Sequence, residues 1–439
     1  MPILVSVDGL GLGDFEAFKA LIPRTRSVLE NYSLHSLSAK PFKSAQPVWA
    51  EIFTGQPWFK NGCAGYSKPN RSLNKLSVFN ETHLLIAPTI FDTGNSAPSV
   101  VINVPLLMPN PKRRIWLSDG SMPISKSVSP DSLRQEPLFR DYTPRPFADI
   151  TSGPGRKRLN DCLDVETRRL QCARELFARN NWSSFLWRLT IFDHLTHLLG
   201  LRFLAAEDLE ISEAIRQFAD SLDSALFDLA SHPSEELIIL STYSHVRCRA
   251  SMNLNMLLAQ GGFLKLDISN ITESREKRFT IVGAVQDGSS PSFQTLRSME
   301  GRLDCAKTLA ASPVSGCVYI NRSAVFEDGS VSNQSYLGTR QRVGNFLQTE
   351  LTKMFGQSFV IEASPLNDAS NAVVPEFIVS IDEVEFHDME GNCVSEYDLP
   401  RTTHSSKGFL VLPQKYAKVA DDLQPVQMQD LLTQCQSMP

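Results

Sequence analysis

Asp8 closes the apolar run Ile3-Leu4-Val5-Ser6-Val7 and is followed by Gly9. A carboxylate at a strand end, just before glycine, is a metal-ligand position, because ligands gather beyond the carboxyl ends of strands in open α/β sheets. An Asp there also caps the turn that follows. The segment Gly9-Leu10-Gly11-Leu12-Gly13 further suggests a dinucleotide loop, but Asp14 stands where that loop needs a small residue, and an acid would repel a pyrophosphate. A second place is Phe192-Asp193-His194-Leu195-Thr196-His197. Positions i and i+4 share a helix face, so Asp193 and His197 can meet one cation while His194 turns away. The same spacing arises by chance in solvated helices, and its location after an apolar strand is what singles it out. Ser244-His245 resembles half of a nucleophile and base pair, yet no elbow glycine or positioned acid accompanies it. Between Lys43 and Gly55, Pro47 suits the first turn of a short helix and Gly55 its end. The free N–H groups of that helix point at Ser44 and Ala45, an end that favours an anion.

Strand ends and helix starts must hold these residues, and the chain alternates the two. Ile3 to Val7, Ser99 to Val104, Ser184 to Ile191 and Glu236 to Leu240 are apolar enough to be buried strands. Helical spacing covers 16–30, Glu166 to Asn180 and 206–231, the last ending at the His232-Pro233 break. From residue 160 to 241 the order is helix, strand, helix, strand, the pattern of a doubly wound, mostly parallel α/β sheet flanked by helices. Met108 to Gly155 is Pro-rich and polar and reads as long loops or a partly irregular insertion. Beyond Asn253 come a short helix at Asn255 to Gln260, a polar stretch from Ser269 to Gly301, a strand at Cys317 to Ile320, a helix at Thr339 to Met354 and a strand at Pro375 to Ile381. The expected division is an α/β core at 1–266 and 370–412, a smaller inserted α+β cap-like region at 267–369, and a surface tail at 413–439.

With 439 residues, 42% hydrophobic and 21% charged, the chain has the composition of an ordinary globular protein of one large or a few average domains. A net charge of -5 supplies no positive field for nucleic acid or anionic lipid. No apolar run approaches the roughly 20 residues that span a bilayer. The eight cysteines form no C-x-x-C pair, so they read as free thiols in a reducing compartment, and a cytoplasmic location is expected.

Taken in order, Val5 to Gly9, the helix from Pro47 to Gly55, Ala87 to Asp92, Val101 to Pro105, Asp193 with His197, Asn253 to Asn255 and Gly262 to Leu264 resemble the alkaline phosphatase superfamily, in particular its type I phosphodiesterase/nucleotide pyrophosphatase-like branch. The resemblance runs from residue 1 to about residue 412. It implies two zinc-like ions about 4 Å apart flanking a Thr or Ser nucleophile. One ion would take Asp193, His197 and His404. The other would take Asp8, the nucleophile and an Asp-His pair. The nucleophile position falls on Ala45 and the Asp-His pair on Thr242 and Tyr243, while the usual Gly-x-x-His-Gly close becomes Lys60-Asn61-Gly62. His245 would reach the missing histidine's place only through a two-residue insertion, and is not expected there.

A methyl group cannot be deprotonated, bridge a metal or form a phosphoryl-enzyme. The resemblance therefore implies a superfamily member with one remaining site for a divalent metal, zinc for preference, and Asp8 as the remnant of a second. It is expected to bind a phosphorylated or other anionic small molecule through Ser44, Gln46 and Asn61, or to serve as a scaffold subunit for a protein partner. The alternative is a repurposed single-metal enzyme using Asp193, His197 and His404.

Overall fold

A computed structural model describes residues 3–265 and 303–437, apart from 75, 79–84, 86, 91–97, 121–123, 145–154, 202–208, 233–235, 366–372, 387–392 and 420–422. The strands in chain order are β1 (Ile3–Val7), β2 (Tyr32–Ser38), β3 (Ser67–Pro69), β4 (Leu76–Val78), β5 (Ser99–Ile102), β6 (Arg114–Leu117), β7 (Val128–Ser129), β8 (Ser184–Leu189), β9 (Leu237–Ser241), β10 (Ser244–Met252), β11 (Ala310–Val314), β12 (Cys317–Ile320), β13 (Phe359–Ala363), β14 (Phe377–Ile381), β15 (Val384–Phe386), β16 (Val394–Ser405) and β17 (Lys407–Pro413). The helices are α1 (Phe15–Leu21), α2 (Pro23–Leu29), α3 (Ala45–Thr54), α4 (Trp58–Asn61), α5 (Asp131–Arg134), α6 (Pro137–Arg140), α7 (Gly155–Ala178), α8 (Ile191–Leu199), α9 (Leu209–Ala230), α10 (Leu254–Gln260), α11 (Asn333–Phe355) and α12 (Met428–Ser437).

The central sheet has the order β2-β17-β9-β1-β8-β5-β6-β7. Strands β9, β1, β8, β5 and β6 run parallel, with β17 antiparallel to β9 and to β2, and β7 antiparallel to β6. Its central strands are buried on both faces, as parallel strands covered by helices must be. Side chains alternate across it. Leu4, Val101, Leu186, Ile238 and Leu240 enter one core together with α3, α10 and α12, whereas Ile3, Val5, Val7, Phe185, Trp187 and Ile239 enter the other with α1, α7, α8 and α9. This is the expected mostly parallel α/β architecture, flanked by helices. Among the described residues three further sheets accompany it: β3-β4, β15-β10-β16, and β11-β12-β14-β13, which packs into the first core.

Several elements differ from the expected ones. The run at 16–30 is two helices, because Pro23 cannot continue the first and opens the second. Within the stretch after Met108, expected to be long loops or a partly irregular insertion, β6 and β7 add two strands to the main sheet. The segment after Pro413 is no surface tail: Tyr416, Leu423, Met428, Leu431 and Leu432 are buried, and α12 packs on α3. The small four-stranded sheet takes β14 from beyond residue 370, so it interleaves with the chain that returns to the main sheet. Phe91 and Asp92, the stretch from Ser269 to Gly301 and Pro233 lie outside the described residues.

Helix α3 is buried along its whole length and ends at Gly55, whose φ of +57° is a left-handed cap that favours glycine. It also buries Glu51, which accepts a hydrogen bond from the Trp58 backbone N–H at 3.1 Å. Burial pushes the Glu51 carboxyl from 4.5 up to about 8, with the Trp58 N–H opposing and nearby Glu362 adding to the rise. The folded chain therefore holds a proton that the unfolded chain loses above pH 4.5, so this group's stabilisation is complete below that pH and is lost as pH climbs to about 8. Urea unfolding from pH 5 to pH 9 is expected to show Glu51→Gln matching the wild type at the acid end and exceeding it by on the order of 3 kcal/mol at the alkaline end. Parallel curves for the two proteins would contradict the buried, protonated carboxyl.

Candidate metal centre

Asp193 sits in the first turn of α8, where the helix dipole favours a carboxylate. One turn on, His197 places Nε2 3.6 Å from Asp193 Oδ1. Two more histidines arrive from a neighbouring sheet. Strands β10 and β16 pair antiparallel with His245 directly opposite His404, so the two rings leave the same face. His245 Nε2 lies 2.9 Å and His404 Nε2 3.1 Å from Asp193 Oδ1, and His197 Nε2 is 3.2 Å from His404 Nε2. One potential ligand atom from each of Asp193, His197, His245 and His404 lies within 4.8 Å of every other.

The chemistry of this cluster fits a divalent cation. His404 Nδ1 is 2.9 Å from the Lys43 carbonyl oxygen, which can only accept, so Nδ1 carries the proton and Nε2 presents a lone pair. That lone pair faces a carboxylate oxygen and a second imidazole nitrogen with no proton required between them. Ligand atoms bound tetrahedrally to zinc at about 2.0–2.1 Å lie about 3.3 Å from each other, close to the separations seen here. The His245 Nδ1 is buried and has no partner among the described residues, so the hydrogen-bonding capacity of that ring is directed through Nε2 into the cluster. Burial lowers the His197 pKa to about 4 against the pull of Asp193, and burial also lowers that of His245, which keeps both rings neutral as ligands. Burial works against ionisation of Asp193, but the surrounding imidazoles of His245, His404 and His197 outweigh it and hold the carboxyl well below its usual range. His197 is the most open of the four, its side chain 37% exposed.

The neighbouring Asp8 is in a different condition. It is fully buried at the end of β1. Oδ1 accepts from Ser6 Oγ at 2.6 Å, the Thr242 N–H at 3.0 Å and Thr242 Oγ1 at 2.7 Å, while Oδ2 accepts from Arg188 Nε at 2.5 Å. The residues expected to mark a second metal site are therefore tied to one another and to a guanidinium, and they do not fit a second ion. Tyr243 lies between the two halves. Its ring packs on His404 with centroids 4.4 Å apart. Burial, Asp193 and Asp8 all hold its phenol protonated. Gly9 makes the approach of these elements possible: at its φ of +97°, a Cβ would lie 2.6 Å from the backbone of Asp193.

The N-terminus of α3 meets the cluster through Lys43, the residue that accepts from His404. Ser44 is its N-cap and uses no side-chain cap bond, Ala45 is buried, and Gln46 is buried with Oε1 unpartnered among the described residues. Asn61 belongs to a separate turn and is not brought into the cluster by any contact. Its Nδ2 donates to the Gln56 carbonyl at 2.7 Å and its Oδ1 accepts from the Cys63 N–H at 2.8 Å, so the amide is used in holding its own loop.

Sequence reasoning missed two residues. His245 was hidden because its arrival depends on the turn from β9 into β10. Arg188 carried a readable signal: an arginine inside an apolar strand needs a buried acid, and Asp8 is the acid on the adjacent strand.

With this geometry, the chain has the fold of the alkaline phosphatase superfamily. Its structural neighbours include phosphonoacetate hydrolase from Sinorhizobium meliloti 1021, solved with phosphonoformate (TM-score 0.56, 13% identity, covering 100% of this chain and 96% of that one) and with phosphonoacetate (TM-score 0.56, 14% identity, with the same coverage). Murine ectonucleotide pyrophosphatase/phosphodiesterase 5, in an inactive threonine-to-alanine variant with AMP, aligns with TM-score 0.50 and 11% identity over 100% of this chain and 95% of that one. No family model and no curated protein sequence matches the chain. Among the described residues, no helix is long and apolar enough to cross a membrane, and seven cysteines, six of them buried, are free thiols.

Elemental analysis of protein purified without added metal is expected to find about one divalent ion per chain, and not two. His245→Ala should lower that content as strongly as His404→Ala does. A stoichiometry of two, or full loading in the His245 variant, would contradict the four-ligand assignment.

Proposed function

We propose that the protein is a single-metal member of the alkaline phosphatase fold that binds a phosphorylated or other anionic small molecule and forms no covalent phosphoryl intermediate. The observation that carries this reading is the contrast between the two halves of the cleft. Asp193, His197, His245 and His404 converge on one point, whereas Asp8 is spent on Ser6, Thr242 and Arg188. Zinc suits the imidazole-rich set, and a divalent ion there would supply a Lewis acid for an anionic oxygen or for water. The remaining contributions come from the chain. Ser44 and the free N–H groups at the start of α3 offer donors to an anion. Ala45 offers only a methyl at the nucleophile position that the resemblance implies. The bound ligands of the structural neighbours, phosphonates in one and AMP in an inactive variant of the other, support an anion as the occupant.

Hydrolysis without a covalent intermediate is the second reading, favoured by the exposure of His197, which leaves the cluster open on one side to water or substrate. A cytoplasmic location accords with the free thiols.

Titration calorimetry with inorganic phosphate and with AMP, on metal-loaded and on chelator-stripped protein, separates these outcomes. Binding that needs the ion, together with no release of nitrophenolate from p-nitrophenyl phosphate or its diester, is the expected result. Turnover of either ester that disappears in His404→Ala would establish the single-metal enzyme instead. Binding that is indifferent to metal would refute both.

A further inference from the structure

Arg188 is a cation set into an apolar strand. In β8, Ser-Phe-Leu-Trp-Arg-Leu, it lies in register with Ser6 of β1. Its backbone carbonyl accepts from Asn103 Nδ2 at 2.9 Å, and its Nε donates to Asp8 at 2.5 Å, so the residue is fixed at both ends of its stem. Burial opposes its charge, but Asp8 more than compensates and raises the guanidinium pKa. Only Nε is engaged. Among the described residues, Nη1 and Nη2 have no hydrogen-bond acceptor, and neither is sealed away from solvent. The side chain is 11% exposed. Tyr243, which packs on metal-cluster residue His404, and half-exposed Tyr66 lie within electrostatic reach of the guanidinium.

We propose that Arg188 takes the place of a second cation, neutralising Asp8 through Nε and gripping, through Nη1 and Nη2, the phosphoryl oxygens of the small molecule held at the metal centre. The proposal rests on the single-metal reading above and adds to it the residue that selects the ligand's charged group. The charges agree. A dication on Asp193 and three neutral imidazoles keeps one positive charge, Asp8 and Arg188 cancel, and the excess suits an anion. Geometry agrees as well, because a guanidinium fork matches two oxygens of one phosphoryl group as a lysine ammonium does not. Unlike an ion, the fork cannot bridge a nucleophile or generate hydroxide, and Ala45 supplies no nucleophile to bridge.

The test uses the full-length, metal-loaded chain and inorganic phosphate as probe. Phosphate must first bind the wild type; failure there refutes the functional reading and this proposal together. Given binding, Arg188→Lys preserves a positive charge beside Asp8 and is expected to retain its ion while weakening phosphate by about tenfold or more. Unchanged phosphate affinity at full metal content would overturn the grip and leave the metal-anion reading standing. A second measurement needs no variant: phenylglyoxal labelling of the wild type, mapped by mass spectrometry, should show Arg188 slowed by phosphate while surface arginines such as Arg71 are unaffected. Equal labelling of Arg188 with and without phosphate would also overturn it.

Discussion

A carboxylate buried at the end of the central strand dictates what can surround it. Asp8 has no access to water, and an isolated charge in such a place costs far more than the fold can spare unless it is paired and hydrogen-bonded. Four donor contacts from Ser6, Thr242 and Arg188 satisfy it. The three residues come from three structural sources: β1 itself, the turn after β9, and the adjacent strand β8. The three elements that meet at the cleft are thereby locked to one another by the same charge. Removing Arg188 without replacing its charge would leave Asp8 uncompensated, so the pair has a structural role whatever the cleft binds.

The cluster around Asp193 depends on that lock for its shape. Gly9 follows Asp8 and lies against the backbone of Asp193 with no room for a Cβ, and its N–H donates to the Tyr243 carbonyl at 3.2 Å. Fixing Asp8 therefore fixes where α8 begins and where the chain turns from β9 into β10. That turn sets the register of β10 on β16, and the register brings His245 and His404 onto one side. Neutral imidazoles around one ionised carboxylate then give a site with low charge of its own, able to take a dication without the mutual repulsion that a carboxylate-rich site must overcome.

How much of this could be read from the sequence depended on whether the determinants were local. The strand at Ile3 to Val7 and the shared helix face of Asp193 and His197 follow from periodicity within a few residues, and the alternation of strand and helix from 160 to 241 was enough for the fold class. His245 was not legible in this way. A strand running from Ser244 to Met252 pairs with one about 150 residues later, and nothing local specifies that histidine faces histidine. Asn61 shows the opposite dependence: its residue type beside glycine suggests a ligand contact, while its turn, visible only in the fold, engages both Nδ2 and Oδ1 of the amide. The C-terminal helix was missed because its apolar residues, Met428, Leu431 and Leu432, are few and follow a long irregular stretch, so that only packing against α3 reveals them as core.

Ala45, Thr242 and Arg188 lie on three separate elements, and this separation makes their agreement informative. Had only Ala45 departed from the two-metal pattern, the cleft could still hold two ions and use water as nucleophile. Had only Thr242 departed, Asp8 would be a weak but open ligand. An arginine bonded to Asp8 closes that option, because a guanidinium and a dication cannot share one carboxylate at close range without repulsion of several kcal/mol even at moderate effective dielectric. The guanidinium is also permanent, held by β8 and not exchanged with solvent. With the single ion and the fixed cation that we propose, an anion would be oriented from two directions while only the ion could activate an oxygen, an arrangement that suits binding better than two-ion phosphoryl transfer.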